Sequence, residues 1–361
     1  MLPPRPSNIP SSVWGRIGRN LYLNDSHPVG IISNKIHQHF NQLHGGSIFK
    51  SFPLQPSPIV TSAQAFDNLL VPKSHPLRSP SDTYYVSESS VLRPHATSHQ
   101  KQVLDSLEKN SRGGAIWTCD VYRKDEVDRI HFPVFHQTDG VRLFPPSVSS
   151  DEIVNDLQTS LEGLLGSLFH EAEIPLEMRW DYTATFPFTD PSMELEIRLP
   201  NDPRWIECLG CGKIKTQINP NGWAFGIGID RLAMLLFNID DIRMLWSEDI
   251  RFVSQFSPNK ITQFKPFSKY PPTYRDTAFW LSKEMQTFTE TDFVFNCMQL
   301  AGPYGLESVV AVDEFTRADR ISRCFRFTYR GIEKTMTAEE CNDVHKIVNQ
   351  YISESIGGVI R

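Results

Sequence analysis

The 361-residue chain lacks any apolar run near the roughly 20 residues that a membrane-spanning helix requires, so a soluble protein with no membrane partner is expected. It lacks an excess of positive charge as well: 36 Lys and Arg against 42 Asp and Glu leave a formal charge of −6. That excludes indiscriminate coating of nucleic acid, so any such contact must come from a local patch. Cysteine is sparse. The six are scattered singly apart from Cys208 and Cys211, which excludes a disulfide framework at this length. The CxxC pair sits in WIECLGCGKIKT with no second CxxC or CxxH at finger spacing. Two thiols do not complete a tetrahedral zinc site, so reduced core thiols and no metal are expected. The first 23 residues hold no Asp or Glu, but three Arg and three Ser. This suits the tail of an organellar transit peptide, and equally a proline-rich flexible start.

A further absence disposes of a nucleotide motif. The stretch GWAFGIGIDRL (222–232) spaces Gly226 and Gly228 as in a dinucleotide loop, but the third glycine of GxGxxG is missing. Position 231 is Arg231, and no βαβ unit surrounds it. The glycines are expected to run into an apolar helix that carries this arginine. A guanidinium among Leu232, Met234, Leu235 and Leu236 needs an anion, either internal or brought by a ligand.

What is present fits one large domain and a smaller one. Residues 27–42 place Val29, Ile32, Ile36 and Phe40 at helical spacing. Segment 57–76 reads as a short strand and helix, and 96–110 as a second helix. GAIWTCDVYR and VFHQTDGVRLF (134–144) form a long-looped antiparallel hairpin. Ser149 to Glu152 opens a helix over 151–171. Strands at 177–186, 192–199 and 204–214 follow one another without helices between them, which predicts an antiparallel sheet. After a polar, proline-punctuated linker at 258–272, elements from 273 to 361 follow the βαββαβ order of a ferredoxin-like unit. The expected divisions are therefore 1–23 (transit peptide or flexible start), 24–257, 258–272 and 273–361.

In the hairpin, Arg123 lies where the first strand gives way to the loop, and His131 and Phe135 lie on the return. Arginine, histidine and an aromatic above a sheet can clamp a triphosphate and stack a base. A solvated charged loop is the plainer reading, but Arg231 adds a second guanidinium suited to spread polyphosphate charge. Glu207 on a neighbouring strand is placed to meet the magnesium that accompanies ATP. His95 and His99, four apart, and His131 and His136, five apart, lack the glutamate of a metal-binding helix. In the C-terminal module, Arg317, Arg320, Arg323, Arg326 and Arg330 cluster within fourteen residues, a candidate ridge for RNA phosphates or a face paired with its own acids.

Arg123 in a long-looped hairpin, followed at distance by a GxGxxR helix, resembles the second and third signature motifs of class II aminoacyl-tRNA synthetases. FDNLLVPKSHP, LRPHATSHQ, DVYRKD, HFPVFHQ, FPFTDPSMELEI, LGCG and GWAFGIGIDRLAMLL together resemble the phenylalanyl-tRNA synthetases, in their single-chain mitochondrial form, from about residue 15 onward. The resemblance implies an α+β fold: a class II antiparallel sheet flanked by helices, plus a ferredoxin-like anticodon-binding domain. It implies that Arg123 binds the ATP α-phosphate, that His131 meets the outer phosphates with Ile130 and Phe132 beside it, that Phe135 stacks on adenine, and that Arg231 lies on the nucleotide's far side. For phenylalanine it implies Phe186 and Phe188 edge-to-face on the ring, with Ala224 and Phe225 as the floor. Gln137 and Asp139 would hold the ammonium with His95 and a hydroxyl such as that of Thr97. Thr138 and Ser98 would belong to the same phenylalanine pocket, and His99 and Gln100 would line the entrance.

The chain departs from that family in having Asp139 where glutamate is usual. It also reads His95-Ala96-Thr97 in place of a triplet with two hydroxyls, and it has only PPSVSS between Phe144 and the helix. The implied activity is phenylalanine–tRNA ligation, with ATP and Mg2+ as substrate and no tightly bound cofactor. The implied partners are tRNA(Phe), L-phenylalanine and ATP, for a monomer in the mitochondrial matrix or another organelle. Two rivals remain: a synthetase-like RNA-binding protein without catalysis, and a ligase of the same catalytic fold for another acid such as lipoate.

Overall fold

Two units divide the chain, Met1–Ile9 with Arg16–Phe264, and Pro10–Gly15 with Lys265–Arg361. The computed structural model describes residues 4–361 apart from 47, 55–56, 108–111, 126, 201, 220, 266–267, 269, 282–287, 318–319 and 332–333, and leaves out the side chains of 44, 250 and 317.

The first unit is built on a seven-stranded sheet. Its strands are β1 (Phe49–Ser51), β5 (Gly114–Tyr122), β6 (Val134–Leu143), β10 (Gly222–Gly228), β9 (Ile206–Ile214), β8 (Thr189–Arg198) and β7 (Glu177–Asp181), in that spatial order. All pairings are antiparallel except β1 with β5, as contiguous strands without crossover helices require. A small sheet of β2 (Ile59–Thr61), β4 (Ser90–Leu92) and β3 (Tyr85–Ser87) lies in the same unit.

One face of the large sheet is closed by two long helices, and the sequence explains both. Pro28 begins the Pro28–Gln42 helix, where its missing N–H costs nothing, and the His27 ring accepts the Val29 N–H. The Ser150–Glu171 helix starts with a capping box between Ser149 and Glu152. Phe40 of the first helix stacks on Phe225 of β10, with centroids 5.0 Å apart at 15°. Trp223, Ile227, Met193, Leu195 and Ile197 from the same sheet are fully buried.

The GWAFGIG stretch differs from expectation. It is strand β10 at the centre of the sheet, and the helix begins only at Ile229. Bulky Trp223, Phe225 and Ile227 alternate with Ala224, Gly226 and Gly228, a period of two that fits a strand and leaves one face lined by small residues. Residues 1–23, expected as a transit peptide or flexible start, carry structure from Ile9 onward: Ile9 and Val13 are fully buried and Ser11–Trp14 is helical.

In the second unit a four-stranded sheet runs β12 (Leu306–Arg317), β13 (Arg320–Tyr329), β11 (Thr273–Trp280), β14 (Val359–Ile360), covered by helices Glu290–Ala301 and Ala338–Gln350. This is the βαββαβ order and the ferredoxin-like strand arrangement. Phe279, Phe293, Phe325, Phe327 and Tyr329 form its core. The segment expected as a linker, 258–272, is divided between the units at Phe264 and Lys265.

Candidate active site

The glycine-bearing face of β5, β6, β10 and β9, on which Ala96, Val103 and Leu104 pack against Ala115, Trp117, Val141 and Ala224, forms the candidate site, and strand register fixes its layout. Directly opposed residues share a face, so Trp117, Asp139, Gly226, Gly210 and Glu194 form one row across the sheet. Ala115, Val141, Ala224, Gly212 and Ser192 form the next. Three glycines in two rows leave a trough. An added Cβ at Gly210 would lie 2.6 Å from Phe186 Cζ, so the Phe186 ring lies directly over this floor. At Gly226 an added Cβ would come within 3.0 Å of Asp139 Oδ1.

Asp139 is the chemical centre of the trough. It is only 2% exposed; its Oδ2 accepts the Thr97 hydroxyl (2.7 Å), and its Oδ1 has no partner among the described residues. The amide nitrogen of Gln100, 1% exposed, is likewise unpartnered. Segment 95–100 is fastened to the strands by the Ala96 N–H to Gln137 Oε1 (3.0 Å) and by Trp117 Nε1–H to the Ala96 carbonyl (3.0 Å). A buried acceptor left open on β6, and a buried donor left open on the segment fastened to these strands, are the groups that an ammonium and a carboxylate, the two ends of an α-amino acid, would satisfy. His95 is kept neutral by burial, which pushes it down to about 3, with Arg123 adding to the effect. His99 is pulled down to about 4 by burial and by Arg93, and takes an Arg93 N–H at 3.0 Å.

At one end of the trough the charges are cationic. Arg123 leaves β5 with its Nε donating to the Pro94 carbonyl (2.9 Å) and its Cζ 5.3 Å from the Phe135 ring centre. Burial lowers its pKa, and Asp125, Glu207 and Asp139 oppose that shift. Arg231, half-buried on the Ile229–Phe237 helix, has no ion pair among the described residues. His131 and Ile130 are exposed on the loop, where Asp128 accepts both backbone N–H groups and the His131 Nδ1. Glu207 is exposed on β9 and raises the pKa of Glu194, whose largest cause is burial. Among the described residues no group of three metal-ligating side chains occurs.

Several expected site residues lie elsewhere, two of them because of strand alternation. Thr138 stands between Gln137 and Asp139, so its side chain points to the opposite face, where it bonds Thr118 (2.8 Å). Phe225 is excluded from the floor in the same way: Ala224 faces the trough, and Phe225 faces Phe40. Phe186 lines a cavity of about 650 Å³ with Ile214, His75 and Lys215, whereas Phe188 packs on the Val60, Phe66 and Val91 cluster. The two rings lie nearly parallel, 5.9 Å apart at 17°. Phe132 is buried, with the Arg16 guanidinium over its ring. Ser98 is buried beside His95 Nδ1 (3.4 Å).

The arginine cluster is not one ridge. Arg323 lies on the helix-covered face of β13, paired with Glu314 and above Phe288. Arg326 is bidentate on Asp276 (2.9 and 2.8 Å), and Arg330 pairs with Glu307 (2.9 Å). Arg320 is exposed, and the Arg317 side chain lies outside the described residues.

The Asp230–His136 pair, which sequence reasoning missed, ties the start of the Arg231 helix to β6. The His136 N–H donates to Asp230 Oδ2 at 2.6 Å. Only the position of Asp230 beside Arg231 could have suggested it.

Residues 16–256 match the family described as tRNA synthetases class II core domain (F), and residues 268–361 match the ferredoxin-fold anticodon binding domain. The chain is 40% identical to a chloroplastic/mitochondrial phenylalanine–tRNA ligase of Arabidopsis thaliana, across 98% of this chain and 83% of that one. It is 35% identical to the mitochondrial phenylalanine–tRNA ligase of Mus musculus (97% and 85% covered) and 33% to that of Saccharomyces cerevisiae (97% and 92%). No helix of the described residues is long and apolar enough to cross a membrane.

Burial pushes the Asp139 carboxyl up to about 7, against the opposing pull of the Thr97 hydroxyl and Arg123. With the folded pKa above the unfolded one, the associated stability is full below about pH 4 and is lost as pH rises through about 7. The unliganded protein should therefore lose on the order of 3 kcal/mol from this group between pH 4 and pH 8. Asp139→Asn should remove that component, so the Tm advantage of the variant should grow from pH 5 to pH 8. An offset independent of pH would contradict the assignment.

Proposed function

The chain belongs to the phenylalanine–tRNA ligases, class II aminoacyl-tRNA synthetases with a ferredoxin-fold anticodon-binding domain, and from that premise we propose how its own residues carry the reaction. The phenylalanine carboxylate attacks the ATP α-phosphorus and pyrophosphate leaves. The adenylate then acylates a hydroxyl of the tRNA terminal adenosine, and AMP leaves. The attacking carboxylate is already ionised, so the step needs positioning and charge stabilisation more than a strong base.

The observation that carries this reading is the buried Asp139 carboxylate with one oxygen open above a glycine floor. Its open Oδ1 would accept the substrate ammonium, and the Gln100 amide would donate to the carboxylate. The ring would extend over Gly226 and Gly210 toward Ala224, under Phe186. Arg123 would meet the α-phosphate with adenine on Phe135, His131 would meet the outer phosphates, and Arg231 the far side. ATP would bring Mg2+ as part of the substrate. Glu207 supplies a hard oxygen donor, which suits an ion that binds through one or two carboxylates plus phosphates. Glu196 is already engaged by Arg179, so it is not available for that role. Arg123, His131, Glu207 and Arg231 are all present in the chain, which favours an active ligase over a catalytically lost RNA-binding relative. The relatives' names support a place in the mitochondrial matrix or another organelle, and we infer a monomer.

For tRNA, we assign contact by the second unit to the open face of its sheet rather than to the arginine cluster. Phe315, Ser322 and Trp280 form one row across β12, β13 and β11. Phe315 is 45% exposed, and the Arg361 guanidinium lies 5.3 Å from the Trp280 ring and 5.5 Å from Phe315. The exposed Phe315 and half-buried Trp280, flanked by a guanidinium, suit stacked, unpaired bases.

Phenylalanine-dependent ATP–pyrophosphate exchange, run across all twenty amino acids, should respond to phenylalanine alone. Arg123→Ala and Arg231→Ala should each reduce it at least about 10²-fold, the scale of one lost transition-state donor, with native circular dichroism. Near-normal exchange in both variants would remove the phosphate assignment. Separately, Trp280→Ala should raise the KM for tRNA about tenfold, the scale of one lost base stack, while leaving exchange unchanged. An unaltered tRNA KM would show that this face does not carry RNA.

A further inference from the structure

Trp246 sits where three parts of the ATP end meet. It is 6% exposed, and its ring lies 6.0 Å from that of Phe132 and 5.4 Å from that of His136, the latter nearly parallel at 22°. The segment from Arg16 to Tyr22 closes over these rings. The Arg16 guanidinium stands 4.8 Å from the Phe132 ring centre and 5.5 Å from that of Trp246. Arg19 adds a contact to Trp246 at 5.9 Å, and the Tyr22 ring lies 6.0 Å from His136.

Each of these rings carries a phosphate arm of the proposed site. Phe132 directly follows His131 on the loop. The loop is otherwise anchored by the Ile242 N–H donating to the Arg129 carbonyl (2.9 Å) and by the Asp128 bonds to Ile130 and His131. His136 holds both oxygens of Asp230, at 3.2 and 3.1 Å from its Nδ1, and Asp230 immediately precedes Arg231. Both arms therefore lean on Trp246, and Arg16 covers the junction between Trp246 and the loop. Arg16 itself is only 9% exposed, and the faces of Phe132 and Trp246 receive its guanidinium.

We propose that Arg16 is a positioning residue for ATP: its guanidinium clamps Phe132 against Trp246 and so holds the loop that presents His131. The proposal rests on the reading of that loop as an ATP-binding arm. It also makes the 16–22 segment, whose composition resembles a removable leader, part of the nucleotide site. The contact is held by a cation on aromatic rings, so an apolar side chain of similar length should fill the space without holding the loop, and lysine should restore part of the effect.

The test uses the full chain and pyrophosphate exchange, with KM measured separately for ATP and phenylalanine. Arg16→Met should raise the ATP KM about tenfold, the scale of a desolvated cation–π contact, with the phenylalanine KM and Tm near those of the parent. Arg16→Lys should recover part of that loss. In a Phe132→Leu background, Arg16→Met should add little, because the two residues act as one unit. An unchanged ATP KM in Arg16→Met overturns the proposal, and so does a parallel rise in both KM values with a fall in Tm. If Arg16→Met fails to fold, the Arg16→Lys and Phe132→Leu variants decide: additive effects on the ATP KM overturn the clamp, and non-additive ones support it. His131→Ala separates the two readings. If it raises the ATP KM while Arg16→Met does not, the loop reading stands and the clamp falls. If neither variant moves it, both fall.

Discussion

A buried carboxylate with one satisfied oxygen and one open oxygen is the constraint on which the site depends. Asp139 can be tolerated at 2% exposure only if something neutralises it or supplies donors. The Thr97 hydroxyl supplies one, and Arg123 contributes positive charge. The rest must come from a ligand or from a proton. Everything around it follows from keeping that option open. Gly226 has no side chain to fill the space beside Oδ1, Gly210 admits the Phe186 ring, and segment 95–100 is fastened through Ala96 to Gln137 and Trp117.

The same constraint separates the two ends of the trough. Arg123 and Arg231 carry no ion pair among the described residues, whereas Arg93 is paired with Asp120 at 2.7 Å and Arg142 with Asp156. Arg93 and Arg142 have been given carboxylates, and the two guanidiniums proposed to meet phosphate have not. The second unit follows similar logic with the opposite outcome: Arg323, Arg326 and Arg330 are each engaged with an acid, which leaves its exposed aromatics as the more available surface.

Much of this was legible in the sequence, because specific spacings carry geometry. The hairpin, the capped helix at Ser149 and the βαββαβ order all follow from local patterns with one physical cause each. What failed was the assignment of faces. Phe225 beside Ala224, and Thr138 beside Asp139, were grouped by motif although adjacent residues on a strand face opposite ways. The correcting signal was present: GCG at 210–212 and GIG at 226–228 put glycine at alternate positions, the mark of a strand face kept clear and not of a phosphate loop. Three features needed tertiary structure: the role of Trp246, the Asp230–His136 tie and the pairing of the arginine cluster. Each joins residues far apart in sequence that no local pattern connects.

The central claim, that the open oxygen of Asp139 receives the substrate ammonium, is tested most directly by proton release. Calorimetric titration of phenylalanine into the unliganded protein at pH 7, in buffers of widely different ionisation enthalpy, reads the protons exchanged on binding. With the Asp139 carboxyl near 7 before binding and driven below that by the arriving cation, roughly half a proton should leave per phenylalanine bound, falling toward none by about pH 8.5. The release should vanish in Asp139→Asn. A binding enthalpy independent of buffer at pH 7 would contradict the account.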